Sequence, residues 1–125
     1  LVVDSCYAGA LTRSSMARLA AGATDAERLH WLRAVSQKRS RTVLTSGGLA
    51  PVLDAGGGEH SVFARALLEV LRSNAEILDG QRLHREVAAR VSYAADNVGF
   101  DQVPEYAPVR YAGHEAGEFF LDPRM

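Results

Sequence analysis

Cys6 is the only cysteine of the chain, and its type and placement fit covalent chemistry. It lies shortly after the apolar run Leu1–Val3, from which only Asp4 and Ser5 separate it. A short apolar run bounded by glycine is typical of a central parallel strand, and ligands of open α/β sheets bind beyond the carboxyl ends of such strands. The sequence therefore predicts a buried strand over Leu1 to Asp4, with Cys6 at the rim of a cleft as a thiol nucleophile.

Four segments of the chain, taken in order, resemble one protein family. The segment DSCYAG, which begins at Asp4, is similar to the nucleophile region of caspase-like cysteine peptidases, in particular the metacaspases and their bacterial relatives. The later segments that resemble the C-terminal half of such a domain are TSGGLAPVLD, GEHSVFARALLEVL and YAPVRYAGHEAGEFFL. The resemblance implies that residues 1–125 are the C-terminal part of a single caspase-like domain, whose N-terminal strands are missing. The implied fold is a three-layer α/β sandwich with a mostly parallel sheet and helices on both faces.

The resemblance also implies an activity, that of a cysteine endopeptidase cleaving peptide bonds after Arg or Lys through a Cys-His dyad. The family carries its histidine in a His-Gly motif that would lie upstream of Leu1. We therefore expect a fragment, a processed subunit or a truncated gene product that is inactive or nearly so alone. Its implied partners are a protein or peptide substrate and the missing N-terminal half. The histidines present, none of them in a His-Gly motif, are His30, His60, His84 and His114.

Two carboxylates are candidates for binding a basic substrate side chain. Asp4 lies two residues before Cys6, so the alternation of a strand places both on the side of the cleft. In metacaspase-like enzymes the corresponding aspartate helps to form the first pocket for Arg or Lys. Asp54 follows the Ser-Gly-Gly turn as an acidic residue does in relatives, and would add a second carboxylate. Either carboxylate could instead cap a turn or accept backbone N–H bonds.

A second β-prone run, Thr42–Thr45, ends at Ser46 and Gly47, where a strand again passes into a glycine turn. Two strands would thus deliver small residues to the same edge as Cys6. Glycine permits close approach of an extended peptide, which can pair with exposed backbone groups of the enzyme. The resemblance implies that Ser46 and Gly47 line the substrate groove, whereas an ordinary tight turn explains them equally well.

Composition sets limits on the class of protein. The chain has 125 residues, 47% hydrophobic content and a formal net charge of −1, which fits one globular core and argues against nucleic acid. No apolar stretch approaches a membrane span, so no membrane partner is expected. One cysteine excludes an internal disulfide and fits a reducing cytoplasm. We expect no cofactor and no metal ligands, and calcium dependence stays open because no acidic calcium cluster is recognisable.

Local signals mark the starts of three helices. Thr24 and Glu27 form a capping-box pattern, Ser61 is the expected cap of a second helix, and a third should start after Asp79 and end near Asn97. Leu29, Leu32 and Val35 recur at helical spacing and predict the apolar face of the first helix.

The remaining segments read as loops and one strand. The segment at approximately 10–23 is small and polar, and it resembles the linker between caspase subunits. Residues 102–117 are predicted to form a long loop because they carry prolines and glycines. A final apolar strand is expected over 118–121.

Two alternatives remain open. The chain could be a non-catalytic caspase-like module that binds peptides or partners, in which Cys6 is a buried small hydrophobe. A different thiol enzyme, such as an amidase, would leave the Ser-Gly-Gly and Gly-His-Glu segments unexplained. The reactivity of Cys6 separates a nucleophile from a buried structural thiol.

Overall fold

The computed structural model describes residues 1–6, 22–47 and 59–124. The elements within these ranges are β1 Val2–Val3, α1 Asp25–Ser36, β2 Thr42–Thr45, α2 Val62–Ser73, β3 Leu78–Asp79, α3 Gly80–Asp96, β4 Glu105–Pro108 and β5 Phe120–Leu121. Asp54 and most of the linker-like segment at 10–23 lie outside the described residues.

All three predicted helix starts are confirmed, because each depends on a cap made by nearby side chains. Thr24 and Glu27 form a complete capping box at the start of α1. Ser61 accepts a hydrogen bond from the Ala64 N–H at the start of α2, at 3.0 Å. Asp79 accepts one from the Arg82 N–H at the start of α3, at 2.9 Å, and that helix ends at Asn97 as expected.

The main sheet of the described residues has the strand order β1-β2-β4. β1 pairs with β2 in parallel, with Val2 opposite Leu44 and Val3 opposite Thr45. β2 pairs with β4 antiparallel, and β3 pairs with β5 antiparallel in a separate two-stranded sheet. A mostly parallel sheet was expected, but within the described residues only the β1–β2 pairing is parallel.

This difference arises from β4, which the sequence analysis placed inside a loop. Pro104 precedes this short strand and Pro108 is its last residue, and both signalled a loop. An edge strand nevertheless accepts proline where the missing N–H would face away from its neighbour. The Val109 N–H donates to the Arg41 carbonyl at 2.8 Å, so alternation turns the Pro108 nitrogen away from β2. The predicted loop therefore contains an antiparallel edge strand.

β1 is less buried than expected. Leu1 is 70% exposed and Val2 48% exposed, although the apolar run predicted a central strand. Among the described residues β1 has a strand neighbour only on the β2 side, so nothing there covers its other edge. The strand also spans only Val2–Val3, rather than the four residues expected.

The core lies between α2, α3 and β2. The buried side chains that form it are Leu44, Val62, Phe63, Ala66, Val70, Leu78, Leu83, Val87 and Val91. α1 contributes less than its pattern suggested, because Val35 is buried whereas Leu29 is 48% exposed. Leu44 thus anchors β2 to the core that α2 and α3 form.

Candidate active site

Cys6 and the Ser46–Gly47 pair lie at the same end of the main sheet. The parallel pairing of β1 with β2 brings Val3 opposite Thr45, and the Ser46 N–H donates to the Val3 carbonyl at 3.0 Å. Both strands therefore end together, and the residues that follow them share one edge. This is the arrangement predicted from the two strand ends.

The side chain of Ser46 holds the segment that carries Cys6. Its Oγ accepts a hydrogen bond from the Ser5 N–H at 3.0 Å and lies 3.3 Å from the Ser5 carbonyl oxygen, to which it donates. Ser46 is fully buried, and its own carbonyl accepts a bond of 2.9 Å from Nε2 of buried Gln102. The backbone on either side of Ser5 is thus fixed against β2.

These contacts correct the expected role of Ser46. The resemblance implied that Ser46 lines the substrate groove, but its side chain is buried and both hydrogen-bonding roles of its hydroxyl are filled by Ser5. Gly47 is buried as well. Ser46 therefore acts from beneath the edge, by placing Ser5 and Cys6, rather than by facing a ligand.

Cys6 itself is exposed and carries a free thiol. The binding-module alternative assumed a buried small hydrophobe at this position, and that part of it is wrong for the described structure. An exposed thiol at the end of a strand is accessible to an electrophile such as a peptide carbonyl.

Asp4 is exposed on the same segment and contacts the start of α2. Its Oδ2 accepts a hydrogen bond from the Ser61 hydroxyl. The sequence identified Ser61 only as a helix cap, because nothing local indicated that β1 would end beside it. Gln102, which binds the Ser46 carbonyl, was also missed, since it lay in a predicted loop.

His114 does not lie near Cys6. Its Nδ1 accepts a hydrogen bond from the Arg41 N–H at 3.0 Å, and Arg41 precedes the first residue of β2. Cys6 instead follows β1 at the level of Thr45, so the length of β2, about 13 Å at 3.3 Å a residue, separates them. The loop of His114 resembles a segment that lies near the active cleft in the family, but here His114 is at the opposite end of the sheet from Cys6.

No contact in the described structure identifies any of the other three histidines as a general base for Cys6. The Nε2 of His84 lies 2.9 Å from the Pro104 carbonyl oxygen, and His30 is exposed on α1. His60 is exposed and immediately precedes Ser61, which contacts Asp4. Among the residues that the structure describes, no histidine forms a hydrogen bond with Cys6.

A buried polar cluster lies apart from this edge, around Glu118. The Tyr106 hydroxyl donates to Glu118 Oε1 at 2.5 Å, and Thr42 Oγ1 lies 3.1 Å from the same hydroxyl. Burial raises the pKa of both Tyr106 and Glu118. Gly80 packs so closely that a Cβ there would lie 2.1 Å from the Tyr106 hydroxyl oxygen.

The described residues also limit other kinds of site. Within residues 1–6, 22–47 and 59–124, no group of three or more His, Cys, Asp or Glu side chains is placed to hold a metal ion. Of the helices in these ranges, none combines the length and the apolar character needed to cross a membrane. Comparison of the chain with protein-family models, with curated proteins and with solved structures finds no match.

Proposed function

We propose that this chain is the C-terminal half of a caspase-like cysteine endopeptidase that cleaves peptide bonds after Arg or Lys, with Cys6 as the nucleophile. The observation that carries the proposal is the exposed Cys6 thiol at the end of β1, on a segment fixed by the Ser46 hydroxyl. Cys6, within the segment that resembles the family's nucleophile region, thus lies where a peptide could reach it.

The proposed reaction follows from thiol chemistry. The Cys6 thiolate attacks the carbonyl carbon of the cleaved bond, and the tetrahedral oxyanion is held by backbone N–H donors, among them the N–H of Cys6. The peptide nitrogen leaves with a proton from an imidazolium, and water then hydrolyses the thioester to regenerate the thiol. The proposal places that histidine N-terminal to Leu1, in the other half of the domain.

Specificity for basic residues rests in this proposal on Asp4. Its carboxylate is exposed two residues before Cys6, so a substrate guanidinium or ammonium could pair with it while the adjoining carbonyl reaches the thiol. Asp54 is the proposed second carboxylate, from the resemblance alone. Gly47 follows β2 and would permit close approach of the peptide backbone.

The proposal also fixes an environment for the protein. The single cysteine must stay a thiol to act as nucleophile, which the reducing cytoplasm provides. The chemistry requires no cofactor, and the partners are a protein or peptide substrate and the N-terminal half of the domain. Calcium can be tested as an activator of the assembled enzyme.

The test is hydrolysis of fluorogenic peptides that end in Arg, Lys or Asp, by this chain assembled with the half that precedes it. We expect cleavage after Arg and Lys, none after Asp, and complete loss of cleavage in Cys6→Ala. This chain alone should show little or no cleavage, because the base is absent from it.

The outcomes of this test are distinct. Cleavage that persists in Cys6→Ala would exclude Cys6 as the nucleophile. Cleavage after Asp alone would contradict the basic specificity. If a folded assembly cleaves no peptide with or without calcium, the chain would instead be a peptide-binding or partner-binding module.

A further inference from the structure

Ser61 joins two parts of the molecule that are 57 residues apart in sequence. Its hydroxyl donates to Asp4 Oδ2, beyond the end of β1, and accepts the Ala64 N–H at the start of α2, at 3.0 Å. Ser61 is half-buried, whereas Asp4 is exposed. One side chain therefore connects the candidate substrate-binding carboxylate to the helix that supports the core.

The direction of both bonds is fixed by elementary chemistry. A serine hydroxyl has a single hydrogen, a backbone N–H can only donate, and an ionised carboxylate can only accept. The hydroxyl hydrogen must therefore point at Asp4 while an oxygen lone pair receives the Ala64 N–H. Because this arrangement fixes the hydroxyl, it also fixes the carboxylate oxygen that receives its hydrogen.

The bond to Asp4 goes beyond what helix capping requires. The Ala64 N–H is satisfied by the Ser61 oxygen alone, and many residue types provide such a cap. No acidic side chain lies in the first turn of α2, so the Asp4 carboxylate supplies negative charge at this helix end. Ser46 already holds the backbone of the neighbouring Ser5. The hydrogen bond from Ser61 therefore restricts the remaining motion, which is the rotation of the Asp4 side chain.

The geometry points to Ser61 as a positioning residue that orients the Asp4 carboxylate for a cationic substrate side chain. This inference rests on the proposed function, which makes Asp4 part of the pocket for Arg or Lys. Ser61 bonds to Oδ2, so a guanidinium or ammonium can pair through Oδ1 without displacing it. A carboxylate held in place binds a cation with less loss of side-chain freedom than a rotating one.

The variants that test this are Ser61→Gly, Ser61→Thr, Asp4→Asn and the double variant of Asp4→Asn with Ser61→Gly. Glycine at a helix cap costs only a few tenths of a kcal/mol, so Ser61→Gly removes the donor while the helix still starts. Threonine keeps the hydroxyl. Thr24→Gly removes the cap of a different helix, α1, and serves as the matched control.

In the assembled enzyme the readout is kcat/KM for a peptide ending in Arg divided by that for the same peptide ending in citrulline, a neutral isostere of Arg. We expect Ser61→Gly to lower this ratio about three- to tenfold, the size of the net contribution of one ordinary hydrogen bond, because Ser61 acts on the substrate only through Asp4. Ser61→Thr should restore it, Thr24→Gly should leave it unchanged, and the double variant should match Asp4→Asn. An unchanged ratio in Ser61→Gly, with a lowered one in Asp4→Asn, would overturn the positioning role.

A second readout does not require peptidase activity. The exposed Cys6 thiol of this chain is reacted with a cationic and with an anionic methanethiosulfonate. The rate with the cationic reagent divided by the rate with the anionic one reports negative charge beside the thiol. Asp4→Asn should lower this ratio several-fold at low salt, and Ser61→Gly should lower it part of the way, with rescue by Ser61→Thr. If peptides are not cleaved but this pattern holds, the proposed function fails and the positioning of Asp4 stands. If Asp4→Asn lowers the ratio and Ser61→Gly does not, the positioning role fails.

Discussion

The hydroxyl of Ser46 has both of its hydrogen-bonding roles filled by the backbone of Ser5, one residue before Cys6. Sequence alone identified Ser46 as part of the site, from its place at the end of a strand beside glycine. It could not show whether the hydroxyl faces a ligand or the protein, because that depends on the pairing of two strands about forty residues apart.

Replacement of Ser46 by alanine should reveal this supporting role. The Ser5 N–H and carbonyl would lose their partner at a partly buried position, so we expect a loss of about 1–2 kcal/mol in the free energy of unfolding. Urea denaturation measures this loss. Ser36→Ala removes an exposed hydroxyl that bonds a helix carbonyl, and should change stability by less than about 0.5 kcal/mol. Equal effects of the two variants would contradict the proposed support of Ser5.

Glu118 gives a second residue-scale prediction, this time on pH. Burial raises its pKa, so the folded protein favours the protonated carboxyl. The resulting stability is fully present below the ordinary pKa of about 4.5 and is lost as the pH rises through the raised value. Glu118→Gln removes this titration, and should be more stable than the wild type at pH 8.

Urea denaturation of both proteins at pH 4 and pH 8 tests this. The advantage of Glu118→Gln should shrink or vanish at pH 4, where the wild-type carboxyl is protonated. Glu69→Gln is the matched control, because Glu69 is exposed and pairs with Arg65 on the surface of α2. A stability difference that is the same at both pH values would show that Glu118 does not titrate as its burial indicates.

At the scale of elements, the three helix starts and the strands β1, β2 and β5 were predicted from the sequence, whereas β3 and β4 were not. Thr24, Ser61 and Asp79 each begin a helix through bonds within three residues, so their local sequence carries the signal. The strands β3 and β4 are short, and they exist because distant segments pair with them. Such pairing leaves little trace in the sequence of either strand.

The segment between β4 and β5 docks on the chain that precedes β2. The Arg41 N–H donates to His114 Nδ1, and Glu115 exchanges backbone and side-chain bonds with the backbone of Arg39, each of 3.0 Å. Gly117 passes so close that a Cβ there would lie 2.1 Å from the Lys38 carbonyl oxygen. Burial lowers the pKa of His114, which fits an unprotonated Nδ1.

This docking should therefore weaken in acid. A lowered folded pKa gives stability that is present above the ordinary value of 6.5 and is lost as the pH falls through the folded pKa. His114→Asn places an amide oxygen near the position of Nδ1 and cannot titrate. We expect the wild type to lose stability relative to His114→Asn between pH 8 and pH 5, measured by urea denaturation.

The control for this comparison is His30→Asn, which replaces an exposed histidine of α1. It should follow the pH dependence of the wild type. If His114→Asn also follows the wild type, the Arg41–His114 bond does not govern the acid response.

At the scale of the whole molecule, one core supports both the sheet and the candidate site. The buried residues of α2 pack against α3 and β2. The apolar face predicted for α1 is only partly buried, since Val35 is buried but Leu29 is nearly half exposed. Spacing shows that a face exists, whereas the depth of its burial depends on what packs there.

Alanine substitutions at two leucines test this difference in burial between the helices. Leu83 is 3% exposed in the core, whereas Leu29 is 48% exposed on α1. We expect Leu83→Ala to lower the free energy of unfolding by about 2–4 kcal/mol and Leu29→Ala by less than about 1 kcal/mol. Thermal or urea denaturation of the two variants tests the placement of the core, and similar losses would contradict it.

The pairing of β1 with β2 has a consequence for the order of events in folding. The helices close through bonds between neighbouring residues, whereas the bonds that place Cys6 join positions 41 residues apart and those around β4 join positions about 60 apart. Contacts of such separation form slowly, because the intervening chain must first be ordered. The helices should thus form early, while Cys6 reaches its place only in the last stage of folding.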